Sequence, residues 1–220
     1  MTYSFDQSSG GETTPLEPSP KTLGYLRPHH IFKMNISGKT VTLRAIESRD
    51  LEQLQAWAND PDIQSGLGGW HFPISQSDQQ KWYESLHASS PHQRFAVETG
   101  SLGLVGTANL VDIDWKNRHA FHGLMIGHPD ARGKGIGIDA VMAIMRYAFD
   151  ELGLRRLDGT MIAYNEASLR LYIGKCGWVE EGRQRDWYYR KGRYWDRIMV
   201  GITEQDYRSL LLRTPYWEKS

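Results

Sequence analysis

From Lys39 onward, apolar and polar positions alternate with periods that assign elements one after another. Thr40–Ala45 combines β-branched residues with alternation and reads as a strand. Leu51, Leu54 and Trp57 follow at helical spacing behind Ser48, the expected N-cap, and Asn59-Asp60-Pro61 ends that helix. Residues 64–74 (QSGLGGWHFPI) read as a glycine-rich aromatic loop. Ser77 and Gln80 read as a capping box opening a second helix with Trp82 and Leu86. Three strand-like runs come next: Arg94–Glu98, Leu104–Ile113 and His119–Ile126, separated by Thr99-Gly100 and Asp114–Asn117 as hairpin turns. Ile138, Val141, Met142, Met145, Phe149 and Leu152 share one face of a long helix that Gly153 closes as a C′ glycine. Leu157–Ala163 is a further strand, and Asn165 caps a short helix ending at Gly177. Trp178–Arg185 and Tyr194–Ile202 form a last hairpin turning at Lys191-Gly192.

The first 33 residues break this pattern. Ser8–Pro20 is rich in Ser, Gly, Thr, Pro and Glu, a composition that builds no core. Residues 1–33 are therefore expected to be a flexible or docking extension, with residues 34–206 as the domain and 207–220 as a tail. Leu23–Lys33 is sticky enough to dock on the domain or on a second subunit, and Met34 reads as an alternative translation start.

Composition narrows the function. The 220 residues carry 26 Lys plus Arg against 26 Asp plus Glu, which argues against general nucleic-acid binding. The one cysteine, Cys176, excludes a disulfide framework and a cysteine-built zinc site, and no metal is expected. No apolar run is long enough to span a membrane and no basic-then-apolar signal opens the chain, so a cytoplasmic protein is expected.

The segment Arg132-Gly133-Lys134-Gly135-Ile136-Gly137 lies between a strand and the long helix. Glycines admit a ligand close to the backbone, and free N–H groups at a helix start bind anions such as pyrophosphate. The loop lacks the Lys-Ser/Thr ending of a P-loop and does not follow the first strand of a βαβ unit. It does resemble the cofactor motif Gln/Arg-x-x-Gly-x-Gly/Ala of the GNAT acetyltransferases, through Arg132, Gly135 and Gly137. Further on, NEASLRLYIGKCGW resembles that family's second motif, with Asn165, Ser168, Tyr172, Gly177 and Trp178 at the matching positions.

The resemblance covers roughly Met34 to Asp206. It implies an α+β (mixed α/β) GNAT fold: a twisted mixed sheet of about six to seven strands with about four helices, whose parallel central strands splay apart around acetyl-CoA. In that frame the N–H groups of Gly133, Lys134, Gly135, Ile136, Gly137 and Ile138, with Arg132, hold the pyrophosphate. Leu124, Met125 and Ile126 pair with the pantetheine arm, which Asn165 and Ser168 contact further along. Tyr172 protonates the departing thiolate after direct attack by an amine.

Relatives such as spermidine and ribosomal-protein acetyltransferases place a glutamate on the strand before the loop. Here that position is His122, expected either to serve as the base or to sit within a polar sheet face. Arg183–Arg197 holds five Arg and one Lys against two Asp, with several aromatics, and in the family it borders the acceptor. A solvated hairpin is the plain reading of that stretch. An amino sugar or nucleotide-linked amino sugar is the first expectation for the acceptor. Alternatives are a protein N-terminus and a polyamine, the latter disfavoured because GGWHFPISQSDQQKWYESL holds only two acids. A non-catalytic CoA-binding module is the least favoured reading, and a homodimer is expected as an option.

Overall fold

Each strand pattern found its partner. The computed structural model describes residues 35–69 and 72–218; the extension 1–33 and Met34 lie outside them. Among the described residues, β1 (Ile36–Ser37), β2 (Val41–Ala45), β3 (Gln93–Thr99), β4 (Gly103–Asp114), β5 (His119–Ile126), β6 (Arg156–Ile162), β7 (Val179–Arg190) and β8 (Arg193–Thr203) form one sheet. Its order is β1-β2-β3-β4-β5-β6-β8-β7. All neighbours are antiparallel except β5 and β6.

That parallel pair is brief. His119–Phe121 lies beside Arg156–Asp158, and the register goes no further. Beyond it β6 keeps β8 as its partner up to Ile162, while β5 keeps only β4 up to Ile126. The sheet is therefore split at its centre, as the expected splay requires.

Helices cover both faces. α1 (Leu51–Ala58), α2 (Pro61–Ser65) and α3 (Gln76–Glu84) belong to one face, where Ile46, Leu54, Trp57, Ile63 and Ala96 form a small core with Trp82 and Met125 against it. α4 (Ile136–Arg146) and α5 (Glu166–Cys176) belong to the other, with a larger core that includes Leu110, Ala120, Val141, Met145, Trp178 and Ile198. Alternation along β5 sorts its residues accordingly: Ala120, Leu124 and Ile126 join the α4 face and Met125 the α1 face.

Several boundaries differ from the sequence reading. Asp60-Pro61 ends α1 but also starts α2, because Asp60 Oδ1 accepts from Asp62 N (2.8 Å) and proline suits a first helical position. The cap of α3 is Ser75 rather than Ser77, since Ser75 Oγ accepts from Asp78 N. Ser48 lies inside a single 3-10 turn capped by Glu47, whose N–H donates to Asp50. The long helix passes from α4 into a π turn over Tyr147–Glu151 before Gly153 takes a positive φ of 63°. The turn at Lys191-Gly192 holds, both residues having positive φ, but the hairpin strands extend to Arg190 and from Arg193.

The tail expected from residue 207 is instead part of the domain. Helix α6 (Glu204–Arg213) is started by the Thr203–Asp206 capping box and buries Tyr207 completely. Beyond it, Tyr216 donates to Asp139 (2.8 Å) and Trp217 Nε1 donates to the Tyr207 hydroxyl (2.9 Å). Asp139, on α4, also accepts from the backbone N–H groups of Lys39 (2.8 Å), Thr40 (2.6 Å) and Val41 (2.9 Å). Burial alone would raise its pKa; these donors outweigh burial and hold the carboxyl below its ordinary range.

Candidate active site

A groove of about 650 Å³ runs along the end of β5, lined also by α2, the loop after β5, α4 and α5. Of the residues singled out from the sequence, Leu124, Met125, Ile126, Arg132, Gly133, Gly135, Ile136, Gly137, Ile138, Asn165, Ser168 and Tyr172 all line it. Lys134 and His122 do not. Lys134 belongs to the same loop and is exposed.

The loop has the geometry its glycines suggested. Gly135 is the N-cap of α4 with φ 77°, and Gly133 has φ 73°. Asp139 N closes the first turn on Gly135 O (3.0 Å), and the amides before it are the first-turn donors that a helix leaves unsatisfied. A Cβ built on Gly135 or Gly133 meets nothing within 4 Å, so the space beside the loop is open for a ligand. An unobstructed helix start beside a long groove fits a diphosphate with an extended arm.

Tyr172 sits two turns after the cap of α5. It is 6 % exposed, and its ring meets Trp178 edge-on at 5.0 Å. Burial pushes its pKa well above the ordinary phenol value, so the hydroxyl keeps its proton throughout the physiological range. That is the state a general acid requires.

His122 is 2 % exposed, and its ring centroid lies 5.8 Å from that of Tyr172 and 6.0 Å from that of Trp178. Nδ1 lies 2.8 Å from the carbonyl oxygen of Asn109. A carbonyl only accepts, so Nδ1 carries the proton and Nε2 offers a lone pair, which has no partner among the described residues. Burial lowers the imidazole pKa to about 4. His122 is therefore neutral near pH 7, where the sequence suggested a group titrating at that pH.

Asn165 has two engagements. Its Oδ1 caps α5 by accepting from Ser168 N (3.1 Å), and its Nδ2 donates to Gly66 O (2.9 Å). Asp62, Ile63, Gly66 and Leu67 form the groove wall on the α2 side. Sequence reasoning missed these residues because they were assigned to a helix end and a loop.

A second cavity, about 300 Å³, opens on the α1–α3 face and shares Met125 with the groove. Ile46, Leu54, Ile74 and Trp82 give it apolar walls; Gln64, Gln79 and Asn109 are its amides, and Asp78 and Arg94 its charges. Among the described residues Arg94 makes no ion pair, and burial lowers its pKa against the opposing charge of Asp112. Two cavities thus share one β5 residue, an arrangement that could hold two reactants for direct transfer.

Comparison with known proteins agrees. Residues 40–179 match the Acetyltransferase (GNAT) domain family. A prophage-derived uncharacterized N-acetyltransferase, YokL, of Bacillus subtilis is 30 % identical over 171 residues, covering 78 % of this chain and 94 % of the relative. Spermidine N(1)-acetyltransferase of Vibrio cholerae is 28 % identical over 168 residues, covering 76 % and 95 %. A crystal structure of the Vibrio cholerae spermidine N-acetyltransferase with CoA and spermine superposes with a TM-score of 0.71 at 27 % identity, covering 77 % of this chain and 98 % of that one. With the split sheet, the glycine loop and the buried tyrosine in place, this chain belongs to the GNAT family and is an acetyl-CoA-dependent N-acetyltransferase.

Proposed function

We propose that the acceptor is a polyamine-type primary amine, acetylated by direct attack in a ternary complex. The observation that carries this is the apolar second cavity, joined to the groove at Met125, in a chain similar to spermidine acetyltransferases over nearly their whole length. An alkyl chain suits the walls of Ile46, Leu54, Ile74 and Trp82. Remote ammonium groups have Asp78 in the cavity and Asp62 in the adjoining groove. Asp62 lies outside the segment whose low acid count had disfavoured a polyamine, and α2 brings it to the site.

In this reading the donors of Gly133–Ile138 bind the pyrophosphate, the edge of β5 at Leu124–Ile126 aligns the arm, and Ser168 borders it. The amine attacks the thioester carbonyl, the C–S bond breaks, and the Tyr172 hydroxyl gives its proton to the thiolate. His122 is the candidate acceptor of the amine's proton on altered terms. It is neutral, packed on the α4–α5 face, and reaches the reactants only where β5 and β6 part.

One observation favours a second reading. Arg94 is a cation within the acceptor cavity and suits an amine that also carries a phosphate, as a nucleotide-linked amino sugar does. Thiol release with acetyl-CoA and spermidine, a nucleotide-linked amino sugar or a peptide N-terminus separates the readings. Spermidine is expected to give the highest kcat/KM. A tenfold advantage of the amino sugar would reverse the assignment.

A further inference from the structure

We propose that Tyr164 is a positioning residue which, together with Asn165, clasps the wall shared by the two substrates. The inference rests on the reading that the groove holds acetyl-CoA, and it concerns residues that touch neither reacting atom.

The wall is the segment that continues α2. Asp62, Ile63, Gly66 and Leu67 face the cofactor groove, whereas Gln64 and Ile74 face the acceptor cavity. One short stretch of backbone therefore borders both sites. Its far end is fixed to α1: Asn59 Nδ2 and Gln55 Nε2 donate to Ile74 O at 2.9 and 3.0 Å, and Ile74 N donates to Asn59 Oδ1 at 2.8 Å. Its near end is tied to α1 through Gln64 Nε2, which donates to Trp57 O at 3.2 Å, and needs further support where the backbone turns away at Ser65 and Gly66. Two successive residues at the β6–α5 junction, 99 positions further along the chain, supply it. The Tyr164 hydroxyl donates to Ser65 O, and Asn165 Nδ2 donates to Gly66 O at 2.9 Å.

The clasp is itself supported. The Tyr164 ring meets Trp195 of β8 edge-on at 4.7 Å, which fixes where its hydroxyl points. Tyr188 of β7 closes against Gly68, where an added Cβ would lie 2.7 Å from its hydroxyl. Glycines on the wall leave its backbone free to move once these bonds are lost. Because Asn165 also caps α5, the helix bearing Tyr172 and the wall enclosing the arm are tied to a single side chain. The aromatic hairpin of β7 and β8 thus acts as a brace, consistent with burial of Tyr188 in an otherwise exposed strand.

Two variants separate the clasp from other roles. Tyr164→Phe keeps the ring contact with Trp195 and removes only the donor to Ser65. Asn165→Asp keeps an oxygen to cap α5 but removes the donor to Gly66. Circular dichroism and thermal melting confirm that each is folded. In ligand-free protein, amide exchange at residues 64–69 should quicken about five- to tenfold in both, as loss of a single hydrogen bond implies. Dissociation of acetyl-CoA, followed by stopped flow, should quicken by a similar factor, and KM for both substrates should rise while kcat changes less than twofold. Unchanged exchange in both variants overturns the clasp. So does faster release in Asn165→Asp with wild-type behaviour in Tyr164→Phe, which would make Asn165 a direct contact of the arm. Quicker exchange with unchanged release and KM overturns the positioning role. The exchange measurement needs no cofactor, so it stands even where Gly135→Asp shows the groove reading to be wrong.

Discussion

The groove proposed for acetyl-CoA and the cavity proposed for the amine share Met125 but are built in different ways. At one end the groove presents backbone: a loop of glycines and the first turn of α4, beside the edge of β5 left open where β6 departs. That end depends on a few residues close together in the chain, because peptide N–H groups would do the binding and glycine is what exposes them. The cavity draws on side chains gathered from the turn after β2 and from α1, α2, α3, β3, β4 and β5 across residues 46 to 125. Its chemistry is the sum of scattered choices, and a change at any one alters what it accepts. Relatives can share the first site and differ in the second.

Variants can break this contrast or sharpen it. The largest effect is expected at the proposed general acid, which lines the groove. Tyr172→Phe should lower kcat by about 10²–10⁴-fold while acetyl-CoA affinity stays within twofold, measured by steady-state kinetics and calorimetry. Full turnover with chemistry rate-limiting would remove the tyrosine from the reaction. Next comes the backbone site alone. Gly135→Asp adds a side chain at a positive φ and a negative charge beside the helix start, and should weaken acetyl-CoA binding about a hundredfold. An unaltered affinity in the folded variant would show that the groove is not the cofactor site.

The acceptor side should respond more gently and in opposite senses. Arg94→Gln removes a like charge from the path of a polyamine and should raise kcat/KM for spermidine by up to about fivefold. For an amine bearing a phosphate it should lower it. Equal changes for both would mean that Arg94 does not face the acceptor.

The smallest effect on catalysis is expected at His122, which lines neither cavity. His122→Gln should lower kcat less than about tenfold, a general base at full effect being worth more. Its larger signature is in stability. The folded protein binds this proton only below about pH 4, whereas an unfolded histidine binds it from about 6.5. Stability is then complete above about pH 6.5 and falls as pH drops toward 4, by about 3 kcal/mol. Denaturant titrations of His122→Gln should show a flatter profile across that window. An identical slope would mean that the imidazole is not held neutral.

The same contrast explains what could be read from the chain. Strands with alternating residues, the α4 face and the order Arg132…Gly137, Asn165, Tyr172 were legible because each depends on spacing along the sequence. The Lys191-Gly192 turn was legible for the same reason. Helix α2 was not, since Asn59-Asp60-Pro61 carries a stop and a start at once and only tertiary contact decides that both are used. The state of His122 was also hidden. Its alternation placed it on the correct face, but its neutrality comes from Tyr172 and Trp178 arriving from another part of the chain. The acceptor cavity was hidden entirely, Arg94 and Asp78 being unremarkable until α3 and β3 come together.

The carboxylate of Asp139 has a consequence for synthesis on the ribosome. It lies on the cofactor helix, yet its donors come from Lys39–Val41 near one end of the domain and from Tyr216 near the other. A nascent chain that has already emerged through Lys175 has every groove-lining residue outside the exit tunnel and still lacks the last donor to that carboxylate. Seating of α4 is completed only when residues 204–217 follow and wrap back. A nascent chain from which Trp178 has emerged and Tyr216 has not presents both motifs while α4 still lacks one of its anchors.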